Sequence, residues 1–209
     1  MVHNIYDMYK TPVENLQIRK FNNGILLEEH DIVVVEEPLE IRLKYFDGGQ
    51  PAEESLSVTM RTPGHDFELA VGFLFTEGII PGYHVIKHIR YCEQTKSDDE
   101  IDNIVIVEFQ KVFTPDLAKI KRNFYMTSSC GICGKTSIEA VQTACKVLTK
   151  KNFSIDNQMI ADIPDRVAAL QTVYRHTGGI HAAALLKADG EVLLMREDIG
   201  RHNAVDKVI

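Results

Sequence analysis

The sequence has no long apolar run, no excess of basic residues and few cysteines, and each absence excludes a class of protein. Its longest apolar stretch, Leu69–Phe75, is far shorter than the roughly 20 residues of a membrane-spanning helix. Acidic residues outnumber basic ones by 30 to 23, and the net charge of −7 argues against general binding to nucleic acid or to membrane surfaces. The N-terminus shows no signal peptide, so we expect a cytoplasmic protein.

The 209 residues contain four cysteines, and a disulfide framework is not expected in a chain of this size without an export signal. A chain of this length buries a core without such crosslinks. Cys130 and Cys133 form a Cys-x-x-Cys pair, whereas Cys92 and Cys145 fall within apolar patterns that predict core positions. The pair is therefore the feature that needs a chemical interpretation.

The first half of the chain alternates apolar and polar residues, which is typical of β-strands. The alternation runs through residues 16–60, is strict over 39–45, and returns at Leu56, Val58 and Met60. Two more strands are predicted at 85–93 and 101–110, joined by an exposed acidic loop. We predict an antiparallel β-rich part over residues 1–115, with one buried helix at about 66–77.

That buried helix has recognisable ends. Asp66 is the predicted N-cap, and Gly78 is a natural stop after the last helical turn. Phe67, Val71, Leu74 and Phe75 recur at helical spacing and are predicted to face the core.

Helices are also predicted in the second half, residues 116–209, which contains the Cys-x-x-Cys loop. They are expected at 115–121, from Thr136 onward, and between Pro164 and Gly178. In the last of these helices, the residues predicted to face inward are Val167, Leu170 and Tyr174. A final helix begins near residue 204 and has no capping residue after it, so we expect relatives to be longer.

A β-hairpin precedes that final helix. Asp189-Gly190 is a strong turn signal between strands at 181–186 and 192–195. A hairpin followed by a helix that opens with a His is the layout of the cytidine deaminase-like fold. The predicted fold class is α+β / α/β, with an N-terminal antiparallel β-rich part and a C-terminal cytidine deaminase-like α/β layer. Deamination is not predicted, because Ala204 stands where deaminases carry their proton-moving Glu.

The segment from Met126 to Lys135 surrounds the Cys-x-x-Cys pair with residues that favour reactive thiols. Two glycines and two serines make it flexible and polar, and we expect the loop at 125–135 to be poorly ordered. Lys135 and the N-terminus of the helix predicted at Thr136 favour thiolate over thiol. An exposed pair of this kind suits the transfer of sulfur or electrons between proteins.

Three other interpretations of the pair stay open at this point. A zinc site needs four ligands, and one Cys-x-x-Cys supplies two of them. A redox dithiol is weakened because no thioredoxin-like βαβ unit surrounds the pair. The two cysteines could also be incidental, since reactivity requires a local electrostatic field.

A phosphate-bearing ligand is predicted near two short segments in the last third of the chain. The Gly178-Gly179 turn lets a backbone approach a phosphate, and Gly200 leads into a helix start with unpaired amides. Arg201 adds a guanidinium fork, and His202 lies at the same helix start. His181 is interpreted either as a ligand contact or as a buried core histidine, and Arg61 and Arg201 are both predicted to be exposed.

Four blocks of sequence, taken together, resemble the formate dehydrogenase accessory sulfurtransferase family. They extend from residue 61 to the end of the chain in the order found in that family. The blocks are RTPGHDFELAVGFLFTEG at 61–78, SSCGICG at 128–134, TGGIHAA at 177–183 and REDIGRHNAVDK at 196–207.

The resemblance implies that the chain carries sulfur. Members of the family accept persulfide sulfur from a cysteine desulfurase on the Cys-x-x-Cys, with Cys130 as acceptor and Cys133 as its assisting or resolving partner. They pass it to the molybdenum (or tungsten) bis-guanine-dinucleotide cofactor before the cofactor enters formate dehydrogenase. The resemblance implies no intrinsic metal, and GDP should mimic part of the cofactor. A homodimer is one further assembly to be tested.

Overall fold

A computed structural model describes residues 10–116 and 154–209, which form an α+β fold. Short 3₁₀ turns at Tyr83–Val85 and Asp98–Glu100 flank the fifth strand. Along the described residues the elements are β1 (Val13–Asn22), β2 (Ile25–Val34), β3 (Glu37–Asp47), β4 (Gln50–Arg61), α1 (Asp66–Thr76), β5 (Ile86–Tyr91), β6 (Ile104–Phe109), α2 (Asn157–Ala168), α3 (Thr172–Thr177), β7 (His181–Leu186), β8 (Val192–Asp198) and α4 (Arg201–Asp206).

The main sheet has the strand order β4-β3-β6-β5. Its two outer pairs are antiparallel, but the central pair, β3 and β6, is parallel. The prediction of an antiparallel sheet is therefore wrong at the centre. The chain leaves β4 through α1 before it adds β5 and β6, and a crossover of this kind is what parallel neighbours require.

The core lies between this sheet and α1. Alternate residues of β3 are buried as predicted, and Leu39, Ile41 and Leu43 are fully inaccessible to solvent. The central strand β6 is buried over nearly its whole length, as expected for a strand with neighbours on both sides. Leu69 and Leu74 of α1 complete the core from the other side.

A β-bulge changes which residues of β4 face the core. Ile41 pairs with Ser57 but Arg42 pairs with Ser55, so Leu56 is the extra residue. One inserted residue exchanges the two faces of a strand. Beyond the bulge Arg61 becomes buried, whereas Val58 and Met60, predicted to alternate inward with Leu56, are 55% and 43% exposed.

Helix α1 matches its predicted span to within one residue, but its first residue plays a different role. The N-cap is His65, not Asp66, and Asp66 is buried within the first turn. Gly78 follows the helix with a φ of +68°, as a helix stop requires. Phe75 is 46% exposed rather than buried.

Helices α2 and α3 replace the single helix predicted after Pro164. Helix α2 begins earlier because the Asp156 carboxylate caps it, accepting hydrogen bonds from the amides of Gln158 and Met159. Pro164 consequently lies inside α2. Leu170 and Tyr174 are each 45% exposed, so their predicted inward orientation is wrong.

Two separate hairpins accompany the main sheet. The β7–β8 hairpin is the one predicted, and Gly190 in its turn has a φ of +83°. The β1–β2 hairpin turns at Asn23-Gly24, where both residues have positive φ, as a tight two-residue hairpin turn demands. The predicted division of the chain between residues 115 and 116 falls at the edge of the described residues and stays a prediction.

Candidate functional site

A buried ion pair orders the loop that precedes α1. Two guanidinium nitrogens of Arg61 donate to the two carboxylate oxygens of Asp66, at 3.0 and 2.7 Å. The Asn103 side chain accepts from Arg61 at 3.0 Å, and the Tyr91 hydroxyl donates to Asp66 at 3.2 Å. Arg61 is fully buried, so its predicted exposure is wrong. A buried arginine is tolerated here because its fork is met by acceptors placed by α1 and by the loop before β6.

His65 has a backbone conformation that residues other than glycine adopt infrequently. Its φ and ψ are 58° and 30°, in the left-handed region, at the N-cap of α1. Its Nδ1 lies 3.1 Å from the Glu68 carboxylate, which also receives two hydrogen bonds from the Arg196 guanidinium of β8. The loop before α1 is thus tied to β8 through Glu68.

The charge of Glu68 is stabilised by these partners. Burial alone would raise its pKa, but the hydrogen bonds from Arg196 and His65, and their positive charges, lower the pKa to about 2. Glu68 is consequently a carboxylate at neutral pH, and it can hold the imidazole of His65 in one orientation.

A second buried carboxylate, Asp198, joins the same loop to the start of α4. It accepts hydrogen bonds from the amides of Thr62 (3.3 Å) and Gly200 (2.8 Å) and from the Asn203 side chain (3.1 Å). The Lys207 ammonium lies 2.7 Å from it, and both side chains are almost completely buried. Because four groups satisfy this carboxylate, its position between the two segments is closely fixed.

Lys207 and Thr62 strengthen this connection. The Lys207 ammonium donates to the Thr62 carbonyl at 2.9 Å, and the Thr62 hydroxyl accepts from the Ile199 amide at 3.1 Å. Sequence reasoning did not select Asp198 or Lys207 as site residues. Asp198 and Lys207 lie nine positions apart, and that spacing alone does not indicate that they form a buried ion pair.

Helix α4 packs on α1 through a third buried carboxylate, Asp206. Its Oδ1 accepts a hydrogen bond from the Thr76 hydroxyl at 3.0 Å. Burial raises the pKa of Asp206 to about 7, and the negative charges of Glu77 and Asp198 act in the same direction, although the Thr76 hydrogen bond opposes them. The interface between α1 and α4 therefore contains a carboxyl group that titrates near neutral pH.

The residues predicted to contact a phosphate lie in two segments that the structure brings together. His181, at the start of β7, pairs with Asp198 at the end of β8, and α4 packs against β7. The side chains of His181, Arg201 and His202 are exposed, so the interpretation of His181 as a core histidine is wrong. The backbone turns at Gly178 and Gly200 lie beside this pair, the former exposed and the latter half-buried.

The Cys-x-x-Cys prediction cannot be placed on the fold. Cys130, Cys133 and Cys145, the loop at 125–135, the helix predicted from Thr136 and nearly all of the helix predicted at 115–121 lie outside the described residues. Cys92 follows β5 and is half-buried rather than part of the core, with its Sγ 3.4 Å from the Gln94 carbonyl oxygen.

Metal sites and membrane spans can be assessed for the described ranges alone. Within residues 10–116 and 154–209, no group of three His, Cys, Asp or Glu side chains is arranged to hold a metal ion. No helix in those same ranges has the length and apolar character needed to cross a membrane.

A family model and two similar relatives identify the same protein family. Residues 34–209 match the model of the FdhD/NarQ family. The chain is 42% identical over 200 residues to the sulfur carrier protein FdhD of Streptomyces coelicolor, covering 94% of this chain and 68% of that protein. It is 44% identical over 188 residues to the sulfur carrier protein FdhD of Mycolicibacterium paratuberculosis, covering 89% and 66%. The chain thus spans about two thirds of the length of these relatives.

A solved structure has the same fold. The crystal structure of a formate dehydrogenase accessory protein from Desulfotalea psychrophila superposes with a TM-score of 0.65 at 20% identity, covering 95% of this chain and 68% of that one. The family resemblance inferred from the four sequence blocks is confirmed by the family match and by the identities above. The chain therefore belongs to the FdhD/NarQ family.

Proposed function

We propose that the protein is a sulfur carrier, a sulfurtransferase that acts in the maturation of formate dehydrogenase. The observation that carries this proposal is the 42% identity, over 94% of the chain, to a protein named sulfur carrier protein FdhD. The matched family region, residues 34–209, includes the Cys-x-x-Cys pair at Cys130 and Cys133. Sulfur exchange requires an accessible thiolate, which the sequence around the pair predicts.

Cys130 is the proposed acceptor. Its thiolate attacks the terminal sulfur of a cysteine desulfurase persulfide, the donor S–S bond breaks, and the donor cysteine leaves as a thiolate. Cys130 then carries the persulfide, and no net oxidation has occurred.

Cys133 is the proposed resolving residue. Its thiolate attacks the Cys130 sulfur, which forms a Cys130–Cys133 disulfide and releases the terminal sulfur as sulfide. The two cysteines supply the two electrons, and a dithiol reductant restores the pair. The proposed sulfur acceptor is the molybdenum bis-guanine-dinucleotide cofactor, which is substrate here, before its insertion into formate dehydrogenase.

The proposed binding region for the nucleotide arms of this substrate is the surface that carries Gly178, Gly179, His181, Gly200, Arg201 and His202. Its support is that the β7–β8 hairpin brings its two flanking segments together, with three basic side chains exposed on them. Arginine and histidine side chains are suited to bind diphosphate oxygens. We also propose that β7, β8 and α4 belong to a cytidine deaminase-like layer in which Ala204 precludes deaminase chemistry.

Mass spectrometry of the chain after incubation with a cysteine desulfurase and cysteine tests the carrier role. The expected result is a gain of about 32 Da per sulfur, lost on reduction. Cys130→Ala should abolish the gain, whereas Cys92→Ala, which removes a half-buried cysteine after β5, should not. A Cys130→Ala chain that takes up sulfur normally would defeat the assignment, and stoichiometric zinc would favour a zinc-bound module instead.

A further inference from the structure

Three consecutive residues at the end of β8 each hold a different segment of the chain. Arg196 binds Glu68 of α1 through two hydrogen bonds. Asp198 binds the Thr62 amide in the loop before α1 and the Gly200 amide at the start of α4. Between them, Glu197 binds the N-terminus of α3. The proposed binding surface is built from the segments that Glu197 and Asp198 hold.

The contact of Glu197 with α3 uses both oxygens of its carboxylate. The Val173 amide donates to Oε2 at 3.0 Å and the Tyr174 amide donates to Oε1 at 2.9 Å, while the Thr172 hydroxyl lies 3.5 Å from Oε2. Gln171, the N-cap residue of α3, makes no capping hydrogen bond with its own side chain. Glu197 therefore satisfies the amides that a local cap would otherwise satisfy.

Helix α3 is held by this contact at its N-terminus and by packing against β2. It has six residues, and isolated helices of that length are unstable in water. It ends at Gly178, whose φ is +66° and whose amide donates to the Tyr174 carbonyl at 2.7 Å. The Tyr174 amide donates to Glu197, and the Tyr174 carbonyl accepts from the Gly178 amide. Glu197 is therefore connected to the Gly178-Gly179 turn through the backbone of Tyr174.

We propose that Glu197 is a positioning residue for the nucleotide-binding surface. Its carboxylate fixes the Gly178-Gly179 turn relative to the Gly200–His202 turn, which the adjacent Asp198 fixes on the other side of the same strand end. The proposal rests on the proposed function, because it takes the diphosphate of a guanine nucleotide as the group that lies between the two turns. Glu197 itself does not contact the ligand.

Binding of GDP and of guanosine to the Glu197→Ala and Glu197→Gln chains tests the proposal. Loss of two charge-assisted hydrogen bonds should weaken GDP binding roughly ten-fold in Glu197→Ala. Guanosine, which lacks the diphosphate, should bind both variants within about two-fold of the unmodified chain. Glu197→Gln keeps one acceptor oxygen and should recover part of the lost affinity for GDP. A general structural defect would instead weaken the binding of GDP and of guanosine to the same extent.

Hydrogen exchange measured by mass spectrometry supplies a readout that needs no ligand. Amides in a peptide covering Val173–Gly178 should exchange roughly ten-fold faster in Glu197→Ala, while a peptide covering 201–206 should be unchanged. Glu191→Gln is the matched control, because Glu191 lies in the same hairpin and its exposed carboxylate pairs with the exposed Lys187 side chain, away from α3 and α4 in the hairpin turn. It should alter neither exchange nor GDP affinity.

The outcomes separate the two proposals. GDP binding that is equally tight in Glu197→Ala and the control, or unchanged exchange at 173–178, would overturn the positioning role and leave the proposed function intact. Equal weakening of GDP and guanosine would also overturn it. Failure of the unmodified chain to bind GDP would instead count against the proposed ligand class, and the exchange measurement would still decide whether Glu197 fixes α3.

Discussion

Gly72 of α1 lies directly against the backbone carbonyl of Asp206 at the end of α4. A Cβ atom added at Gly72 would stand 1.8 Å from that carbonyl oxygen and 2.5 Å from its carbon. The helices therefore cross at a point where only a hydrogen atom fits between them. This crossing sets the distance between α1 and the segment that carries Asp198 and Lys207.

Gly72→Ala should destabilise the protein by about 3 kcal/mol or more, because the methyl group meets backbone that cannot rotate away. The free energy of unfolding in urea measures the effect. Gly179→Ala is the matched control, since its Cβ would be 3.8 Å from the nearest atom, the Thr177 carbonyl oxygen, and should cost less than about 1 kcal/mol. Equal stability of the two variants would show that the helices separate freely at this point.

Local patterns in the sequence predicted the elements whose environment is set by near neighbours. The alternation over 39–45 identified the buried face of β3, and Asp189-Gly190 identified the β7–β8 turn. The span of α1 followed from its apolar spacing and from Gly78. These features depend on side-chain period and turn chemistry, which a single sequence displays.

Features that depend on distant partners were not predictable in this way. Arg61 is buried because Asp66 and Asn103 supply acceptors, and the pairing of β3 with β6 joins strands about 60 residues apart. The bulge that turns Val58 outward is a shift in the pairing of β4 with β3, and the composition of β4 alone does not reveal it. The ligand surface was predicted from two glycine-containing turns. The carboxylates that hold these turns, Glu197 and Asp198, could be identified only from the folded structure.

Asp206→Asn should stabilise the protein at neutral pH and have little effect in acid. In the unfolded chain this carboxyl ionises around its ordinary pKa of 3.8, whereas in the folded protein burial raises the pKa to about 7. Between these values the unfolded state loses a proton that the folded state keeps, so the stability of the unmodified chain falls as pH rises. The variant lacks this loss, and above pH 7 its advantage should be on the order of 4 kcal/mol, because the pKa difference of about three units is worth roughly 1.4 kcal/mol per unit.

Urea unfolding at intervals between pH 3.5 and 8 measures this difference. The gap between the variant and the unmodified chain should open between about pH 4 and pH 7 and then remain constant. Asp189→Asn, in the exposed β7–β8 turn, is the control and should show no such gap. A gap of the opposite sign, with the variant less stable than the unmodified chain at neutral pH, would mean that Asp206 is stabilised as a carboxylate.

Arg61→Met should be more damaging than the double change Arg61→Met with Asp66→Leu. The single change leaves the Asp66 carboxylate buried without its cation, at a cost of about 3–5 kcal/mol. Removing both charges replaces the pair with apolar volume and should recover a large part of that loss. Thermal or urea unfolding of both chains measures it.

The exposed pair of Arg19 and Glu28 in the β1–β2 hairpin provides the comparison for Arg61. Arg19→Met should change the stability by no more than about 0.5 kcal/mol, since solvent screens that pair. A double variant at 61 and 66 that is less stable than the single variant would show that the ion pair itself, and not relief of an unpaired charge, stabilises the loop before α1.

Glu68→Gln should remove a contribution to stability that disappears in acid, the opposite of the behaviour expected for Asp206. Burial would raise the pKa of Glu68, but hydrogen bonds from Arg196 and His65 lower it to about 2, below the ordinary glutamate pKa of 4.5. The stabilisation is therefore complete above pH 4.5 and is lost as pH falls through about 2. Because the Glu68 side chain is 41% exposed, solvent screening limits the difference at pH 7 to about 1 kcal/mol.

Urea unfolding of both chains from pH 7 to pH 2, with Glu28→Gln as an exposed control, measures the difference, which should narrow steadily below pH 4.5. A difference that stays constant down to pH 2 would mean that the lost interaction is packing, and that the charge of Glu68 does not tie α1 to β8.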